Sequence, residues 1–554
     1  MFDATLLLLI CLLPLAGALL VSVLGARSAG MARAAALVTM LAVLALAAHI
    51  FVGYAAARSG AFDLNLPWIA ELGVHLHLAV DGLNLYLLLL TALLFPVALG
   101  CAWPSAEARR PLFLALLLLL EAGLLGTFLS QNLMFFFVCW EAVLIPMFVL
   151  ILVFGGAKSR EAAQAFFLYT LAGSVLLLAA VILLGVQCWQ QTGSWSFELA
   201  TLLDLQLGWG TQLFVFAAIV LACAIKCPLV PFHSWLPLTY AEAPPAGTAL
   251  MAGALSKMGA FALLKLAIPL CPQAAAALAP WLIALAVFSI LYGAVLALRQ
   301  ADFKLLVAYS SLSHMGYIVL GIFSFQQSAL HGALLQTFSH GLAVAGLFLA
   351  LGLLEQRRGA AYRQLTALAT LAPRLAVVLM LFVLTSVALP LTSGFTGEFM
   401  ILFGAFQQAL AGWKAELGVL PLAAVILACS GMVLGAGYML RFARTLLFGQ
   451  APEGSALPDL GGREALAFLP LLLLILAIGI APAPFMARVQ PDVAAVTARA
   501  AVPPFEKGGP GGISLRPAEA NPPQSPFAKG GLEQLAAILG MSFPRQDNGE
   551  SHAR

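Results

Sequence analysis

Residues 132–154 read NLMFFFVCWEAVLIPMFVLILVF and carry one charged side chain, Glu141, in 23 positions. About 20 apolar residues in a helix cross a hydrocarbon core of roughly 30 Å. Within lipid, every backbone polar group must be paired inside the protein, and a helix achieves this within one segment. The stretch therefore predicts a membrane-spanning helix with a carboxyl group near its middle.

Similar apolar runs, separated by short polar segments, continue along most of the chain. The sequence is 62% hydrophobic and 9% charged, whereas soluble proteins carry about 25% charged residues. A membrane barrel would show alternating segments of about 10 residues, and none is predicted. The first run, 4–24, has no basic residue before it and no small-residue cleavage site, so it is predicted to be a membrane helix rather than a signal peptide. The fold class is therefore an all-α integral membrane protein with about fourteen helices, at 4–24, 34–56, 80–102, 111–129, 132–154, 161–187, 211–232, 247–270, 275–297, 303–323, 328–355, 373–411, 418–447 and 464–486.

Two of these helices are interrupted in mid-course. Pro228 and Pro231 break the seventh, and Pro390, Gly394 and Gly397 break the twelfth. The breaks are five helices apart, and two repeats of five helices must have opposite orientations because five is odd. Inverted repeats with matching broken helices are typical of transporters, and the breaks point to the ion path. The predicted organisation is helices 1–3 in 1–110, a first repeat of helices 4–8 in 111–270, an inverted second repeat of helices 9–13 in 271–447, and a loop with helix 14 in 448–490.

The composition changes in the last part of the chain, 491–554. The segment PPFEKGG at 503–509 is echoed by SPFAKGG at 525–531. Low-complexity sequence rich in proline and glycine cannot bury a core. We expect a disordered C-terminal tail with no role in the chemistry.

The basic residues predict the orientation in the membrane. Most lysines and arginines fall in every second loop, and the loops on the other side of the membrane hold only two clear cases, Arg58 and Lys414. By the positive-inside rule the basic loops are cytoplasmic, so both termini are expected in the periplasm of a bacterial inner membrane that the chain crosses many times. Fifteen of the 27 lysines and arginines fall in the alternate, basic loops, namely Arg27, Arg33, Arg109, Arg110, Lys158, Arg160, Arg299, Lys304, Arg357, Arg358, Arg363, Arg374, Arg441, Arg444 and Arg463.

A few ionisable side chains lie inside the predicted helices, where a charge costs about 2.5–3.5 kcal/mol on insertion scales. The alternative for the acids and lysines is a structural ion pair, and for the histidines a hydrogen bond within the bundle. Burial of several charges for packing alone is costly, which favours a functional role. These residues are Glu121, Glu141, Lys226, Lys257, His314, His331, His340 and Glu398, and His233 follows Pro231 at the cytoplasmic mouth of its helix.

The eight cysteines are scattered and form no CxxC pair. The sequence also has no P-loop and no GxGxxG segment in a nucleotide-binding context. We therefore expect no iron–sulfur cluster, zinc site, nucleotide site or other cofactor in this chain.

The stretches around the buried charges resemble the antiporter-like membrane subunits of respiratory complex I, over about residues 1–490. Within that family, a glutamate rather than a lysine at the end of the broken twelfth helix resembles the subunit M group, the mitochondrial chain 4 type. Leu238, Thr239 and Tyr240 depart from the Asp-Ala-His that is common in bacterial relatives, so the resemblance implies no entry group there. The matching motifs are FFFVCWEAVLIPMFVLI with Glu141, AIKCPLVPFHSW with Lys226, GALSKMGAFALLK with Lys257, FKLLVAYSSLSHMGYIVLGI with His314, GALLQTFSHGLAVAGLFLALG with His340, and LPLTSGFTGEFMILFGAF with Glu398.

The resemblance implies a proton-translocating subunit. Electrons would pass from NADH through flavin and iron–sulfur clusters to quinone in partner subunits. The expected partners are the other membrane-arm subunits and lipids, with no nucleic acid. The implied roles are a modulating pair in Glu141 and Lys226, a central carrier in Lys257, a bridge in His314 and His340, and release to the outer side by Glu398, with Glu121, His233 and His331 as accessory candidates.

Three other functions stay open at the level of sequence. A subunit of a multi-subunit sodium/proton antiporter would use the same polar axis without a redox partner. A subunit of a membrane-bound hydrogenase or formate-linked complex would occur together with a nickel protein. A scaffold that pumps no protons would tolerate the loss of Lys257.

Overall fold

The computed structural model describes residues 2–54, 62–105, 107–359, 363, 365–414, 418–450 and 456–500. Thirteen helices in these ranges are long and apolar enough to cross a membrane. A shorter apolar helix, Pro373–Ser386, precedes Ser393–Lys414 at the position of the predicted twelfth helix. The predicted all-α membrane fold is confirmed.

The first half of the chain contains α1 (Phe2–Gly25), α2 (Ala29–Gly53), α3 (Leu85–Ala102), α4 (Pro111–Leu129), α5 (Leu133–Ala142), α6 (Leu144–Phe154), α7 (Ser159–Thr192), α8 (Leu199–Leu203), α9 (Trp209–Lys226), α10 (Trp235–Glu242), α11 (Pro245–Leu250), α12 (Lys257–Ala262) and α13 (Ile268–Leu270). The second half contains α14 (Pro272–Arg299), α15 (Phe303–Phe323), α16 (Gln327–Arg358), α17 (Leu368–Leu371), α18 (Pro373–Ser386), α19 (Ser393–Lys414), α20 (Leu420–Leu447), α21 (Gly462–Ile480) and α22 (Ala483–Ala500). Helices α5 and α6 form one span, and α11 to α13 form another together with the π-helical segments Met251–Leu255 and Leu263–Ala267.

The interior of the bundle is built around α3 and α16, whose membrane-spanning windows are fully buried. Helices α4 and α15 are buried almost as completely, whereas α20 and α21 expose most of their apolar side chains. Polar groups on α15 and α16 therefore lie away from the surface that faces lipid, which is where ionisable groups are tolerated in membrane proteins.

Helix α9 ends at Lys226, and the chain runs without regular helix until α10 begins at Trp235. The backbone groups released by this break have side-chain partners. The indole Nε1 of Trp235 donates to the carbonyl of Ile225 at 3.1 Å, and the Ser289 hydroxyl accepts from the N–H of Val230 at 3.2 Å. These bonds allow irregular backbone inside the membrane, because it is paired with protein rather than left to lipid.

A short β-hairpin was missed by the sequence prediction. Strand β1 (Asp63–Ile69) pairs antiparallel with β2 (Val74–Ala79), and Asn65 lies opposite His77. Strand β2 alternates apolar and polar residues, and β1 does so only in its first four, but each strand is shorter than the barrel strands sought in the sequence. His77 Nδ1 and the Asn132 amide both bind the carboxylate of Glu198. Asn132 also caps α5 by accepting from the N–H of Phe135, so the hairpin is tied to the helix that carries Glu141.

We expect this hairpin to loosen as the pH rises. Burial alone would lower the pKa of His77, but the hydrogen bond to Glu198 and the charges of Glu198 and Asp63 outweigh it and raise the pKa above 6.5. A raised pKa in the folded state means that the contact stabilises the fold below the ordinary pKa and is lost as the pH rises through the raised one. Hydrogen exchange of β1 and β2, corrected for intrinsic rates, should therefore increase as the pH rises from below 6.5 through the raised pKa of His77. In His77→Gln this extra pH dependence should disappear, and an unchanged trend in that variant would contradict the assignment.

The end of the membrane domain also differs from the prediction. The fourteenth helix, predicted at 464–486, ends at Ile480, and a second helix, α22, runs to Ala500. The tail predicted from residue 491 is therefore helical for its first ten residues, and 501–554 lie outside the described residues. Val489, Val493 and Val496 repeat at helical spacing and are buried. Because this apolar face can pack on the bundle, the segment has a reason to fold that its overall composition does not show.

Candidate functional site

Lys257 is fully buried at the start of α12 and has three polar partners. Its Nζ donates to the carbonyl of Ala252 at 2.8 Å and to Ser256 Oγ at 3.1 Å, and His340 Nδ1 lies 2.7 Å away. A buried ammonium needs such partners, because desolvation without hydrogen bonds costs several kcal/mol. The arrangement can hold a proton on Lys257 and offers one direct acceptor for it, the imidazole of His340.

The π-helical segment before Lys257 supplies one of these partners. The N–H of Ser256 donates to the carbonyl of Met251, five residues earlier, rather than to Ala252, four residues earlier. The Ala252 carbonyl is therefore available to accept from the lysine. Single π turns inside α-helices are rare and are often found at functional sites.

A second pair lies next to His340. The ring centroids of His340 and His314 are 5.2 Å apart, and His314 Nδ1 lies 2.8 Å from Glu398 Oε1. The same oxygen accepts from Gln336 Nε2 at 2.9 Å. His314, His340 and Glu398 are each at most 5% exposed. Helices α12, α16, α15 and α19 thus place Lys257, His340, His314 and Glu398 in one row.

The two imidazoles in this row have open nitrogens. The Nε2 atoms of His340 and His314 are buried, and neither has a hydrogen-bond partner among the described residues. Their Nδ1 atoms are engaged by Lys257 and Glu398. Buried polar atoms are nearly always paired with protein or ordered water. The open nitrogens therefore mark where the row can continue through a bridging hydrogen bond.

Glu141 and Lys226 are brought into one region, but not into direct contact. No ion pair within 4.0 Å joins them in the described part of the chain, although the charge of Glu141 acts on Lys226. Lys226 Nζ instead lies 4.8 Å from the centre of the Trp140 ring. A cation over an aromatic ring is stabilised by about 0.5–2 kcal/mol. In this geometry the lysine is held on the tryptophan that precedes Glu141, and the modulating pair stays a prediction.

The helices that carry the two lysines approach each other closely. A Cβ at Gly259 would lie 2.5 Å from Cys227 Sγ, so only glycine permits this contact between α12 and the end of α9. Cys227 Sγ in turn donates to the carbonyl of Ser256 at 3.3 Å. Among the contacts of the described residues, however, no hydrogen bond links Lys226 itself to Lys257.

The three accessory candidates lie outside the row. His331 Nδ1 donates to the carbonyl of Gln327 in its own helix at 2.8 Å. His233 is half-buried, with its ring edge-on to Tyr292 at 5.4 Å. Glu121 is fully buried on α4, and neither carboxyl oxygen has a partner in the portion of the protein that is described.

The sequence reasoning missed Gln336, Ser256 and Trp140 as members of the site. Gln336 precedes His340 by four residues, which places both on one face of α16. Ser256 and Trp140 are sequence neighbours of Lys257 and Glu141. A search for polar residues one turn from each ionisable residue would have found Gln336, whereas no pattern predicts that Trp140 would support Lys226.

Comparison with known proteins adds an independent observation. Residues 130–451 match the family described as NADH:quinone oxidoreductase/Mrp antiporter, transmembrane. The chain is 35% identical over 467 residues to NADH-quinone oxidoreductase subunit M of Escherichia coli K12, covering 81% of this chain and 89% of the relative. It is 34% identical over 435 residues to NADH-ubiquinone oxidoreductase chain 4 of Arabidopsis thaliana, covering 77% and 83%.

The fold is also similar to a solved respiratory assembly. A chain of respiratory complex I from Thermus thermophilus, solved with bound NADH, superposes with a TM-score of 0.79 at 33% identity, covering 89% of this chain and 99% of the other.

Among the described residues, no group of three or more His, Cys, Asp or Glu side chains could hold a metal ion.

Proposed function

Because the chain belongs to the NADH:quinone oxidoreductase/Mrp antiporter family of membrane subunits, we propose that it is a proton-translocating, M-type subunit of an NADH:quinone oxidoreductase. One observation carries the proposal. The pairs Lys257–His340 and His314–Glu398 lie end to end in the buried centre of the bundle. Such groups in a membrane interior are costly unless they bind or move ions.

The geometry supports the following sequence of proton transfers. Lys257 gives a proton to His340 Nδ1, and His340 releases the proton on its Nε2 toward His314 Nε2, across the gap between the open nitrogens. His314 then gives the proton on Nδ1 to Glu398, which passes it to the outer side. Each imidazole takes one proton at one nitrogen and loses one at the other, so every group returns to its starting protonation after a change of tautomer.

Glu141 and Lys226 would set when this transfer starts. In the present geometry Trp140 holds Lys226 away from Glu141, so a movement that closes this pair would alter the field near Lys257. Transfer of one proton against 100 mV costs about 2.3 kcal/mol. That energy must come from electron transfer in partner subunits, where we place the flavin, the iron–sulfur clusters and the quinone.

The remaining assignments rest on the same proposal. We place the chain in a bacterial inner membrane with both termini on the periplasmic side, in contact with lipids and the other membrane-arm subunits. Helices 4–8 and 9–13 would form the two inverted repeats. Glu121 would hold a proton within the bundle as a coupling carboxyl, His233 would receive protons at the cytoplasmic mouth, and His331 would lie near the outer exit.

A sodium/proton antiporter subunit is the second candidate, since the matched family includes Mrp antiporters. Purification through a tag on this chain, followed by reconstitution in sealed vesicles, distinguishes the two functions. We expect NADH oxidation to acidify the lumen, and an uncoupler to abolish the acidification. Proton exchange driven by a sodium gradient, in a preparation that does not oxidise NADH, would favour the antiporter and overturn the proposal.

A further inference from the structure

A tryptophan at the basic end of the bundle carries two arginines from different helices. Trp103 directly follows α3. The guanidinium carbon of Arg33, on α2, lies 4.8 Å from the centre of its ring, and that of Arg463, at the start of α21, lies 5.8 Å from it. Tryptophan is enriched where a membrane meets water. The two residues, called here the arginine pair, are therefore held on one indole at the level of the lipid headgroups.

Most N–H donors of the arginine pair are open to a ligand. A guanidinium group has five such donors. Arg33 gives one, from Nη1, to the carbonyl of Trp103 at 3.2 Å, and its Nε is buried without a partner among the described residues. The described ion pairs of arginine are made by Arg357 and Arg363 instead. Because buried polar atoms are nearly always paired, the open donors indicate an acceptor that the described chain does not supply.

A cleft of about 760 Å³ lies beside Trp103, and both Pro104 and Arg463 line it. Sites for small molecules have volumes of about 300–1,000 Å³. Arg357 also lines the cleft, and its Nη1 is buried with no hydrogen-bond partner in the described part of the chain. The cleft therefore offers both space and unpaired N–H donors to one polar group.

The acids that line the cleft do not cancel its positive charge. Glu464 is bound to Arg357 Nη2 at 2.6 Å. Asp459 accepts from two backbone N–H groups at the start of α18, and the charge of Arg374 acts on it. Glu107 has no ion pair within the described ranges and offsets one charge of the arginine pair. One positive charge remains in excess, which favours an anionic ligand.

Apolar side chains continue from the arginine pair into the membrane. Helices α21 and α2 both begin at the basic end, and the large exposed side chains that follow the pair are Leu466, Leu469 and Leu473 on α21 and Val38 and Leu41 on α2. A free inorganic anion would make no use of this surface. A phospholipid has both an anionic headgroup and hydrocarbon chains, so it matches the arginines and the apolar helices together.

We propose that the arginine pair, on Trp103, binds the phosphate of an anionic phospholipid whose acyl chains lie along α21 and α2. Arginine can hold phosphate oxygens through two parallel N–H groups. Basic pockets between membrane helices bind anionic headgroups in this way on the cytoplasmic side. The indole face holds both guanidinium groups in place before the lipid binds. The inference goes beyond the proposed function and does not depend on the proton path.

The test uses the assembled complex in nanodiscs of phosphatidylcholine that contain a small fraction of phosphatidylglycerol with a photoreactive headgroup. We expect the label in the peptides that contain Trp103 and Arg463. The double variant Arg33→Gln/Arg463→Gln should lower this labelling on the order of tenfold or more, since each arginine near an anionic surface contributes roughly fivefold to lipid affinity. The matched control is Arg160→Gln/Arg444→Gln, which removes the same charge from exposed arginines of other basic loops.

The wild-type complex provides a second test if the double variant fails to assemble. Excess phosphatidylglycerol should displace the label, whereas phosphatidylcholine and inorganic phosphate should not. Displacement by inorganic phosphate would identify a site for free anions and overturn the lipid assignment. Equal labelling in the two double variants would also overturn it, as would protection of both peptides by a neighbouring subunit cross-linked to them. None of these outcomes bears on proton transport, which is measured separately.

Discussion

Replacement of Lys257 by alanine is expected to lower NADH-driven proton transport by about tenfold or more. A tenfold loss corresponds to about 1.4 kcal/mol added to the activation barrier. The lysine is the only group in the described contacts that lies within 3.1 Å of both Ser256 Oγ and His340 Nδ1. Its loss removes the proton carrier and leaves His340 without its donor. Acidification of sealed vesicles should be followed beside NADH oxidation, and both should fall if the two processes are coupled.

Alanine also removes packing, so a second variant separates chemistry from structure. Lys257→Arg keeps a cation and hydrogen-bond donors, but an arginine does not release its proton in proteins. We expect an assembled complex that transports protons as poorly as Lys257→Ala. Lys304→Arg is the matched control, because Lys304 is almost as deeply buried but pairs with Glu355 at 2.6 Å on the basic side. Wild-type transport in an assembled Lys257→Arg complex would show that the lysine does not carry the proton.

Replacement of Glu398 by glutamine is the second change with a large expected effect. The amide can still accept hydrogen bonds from His314 and Gln336, so the local structure should persist. It cannot take up a proton from His314. We expect normal assembly and a loss of transport of about tenfold or more, with partial recovery in Glu398→Asp, which restores the acid at a slightly greater distance.

The measurement combines transport with infrared spectroscopy. A carboxyl group that is protonated during turnover gives a C=O band that should be missing in Glu398→Gln. Glu355→Gln is the control. Glu355 lies on the same helix as Gln336, but its described ion pair is with Lys304, outside the row. A Glu398→Gln complex that transports protons normally, with its band pattern unchanged, would remove Glu398 from the path.

The lipid environment explains why the helical spans could be predicted from sequence. Length and hydropathy determine a spanning helix, because the backbone must be paired within the segment. The same cost of buried charge identified Lys257, His340, His314 and Glu398 before any distance was known. The hairpin was missed because the contact between His77 and Glu198 is tertiary and no local pattern specifies it. Helix α22 was missed because the overall composition of the tail hides the helical spacing of its buried valines.

The partners within the site were also beyond the reach of sequence reasoning. The resemblance implied a modulating Glu141–Lys226 pair but did not indicate that the lysine rests on Trp140, since helix rotation and side-chain rotamer decide which neighbour it meets. The contact between Lys257 and His340 likewise joins residues 83 positions apart. Such contacts depend on tertiary geometry rather than on residue type.

The π-helical segment at Met251–Leu255 also fixes the direction in which Lys257 points. A π turn accommodates one residue more than an α turn, and each residue of an α-helix advances the side-chain direction by about 100°. If one residue were removed from this segment and regular α-helix were restored, the part of the span after it would turn by about that angle relative to the part before it. Lys257 would then no longer face His340, although every side chain named in the row would still be present. The proton path thus depends on the number of residues in this span as well as on their identity.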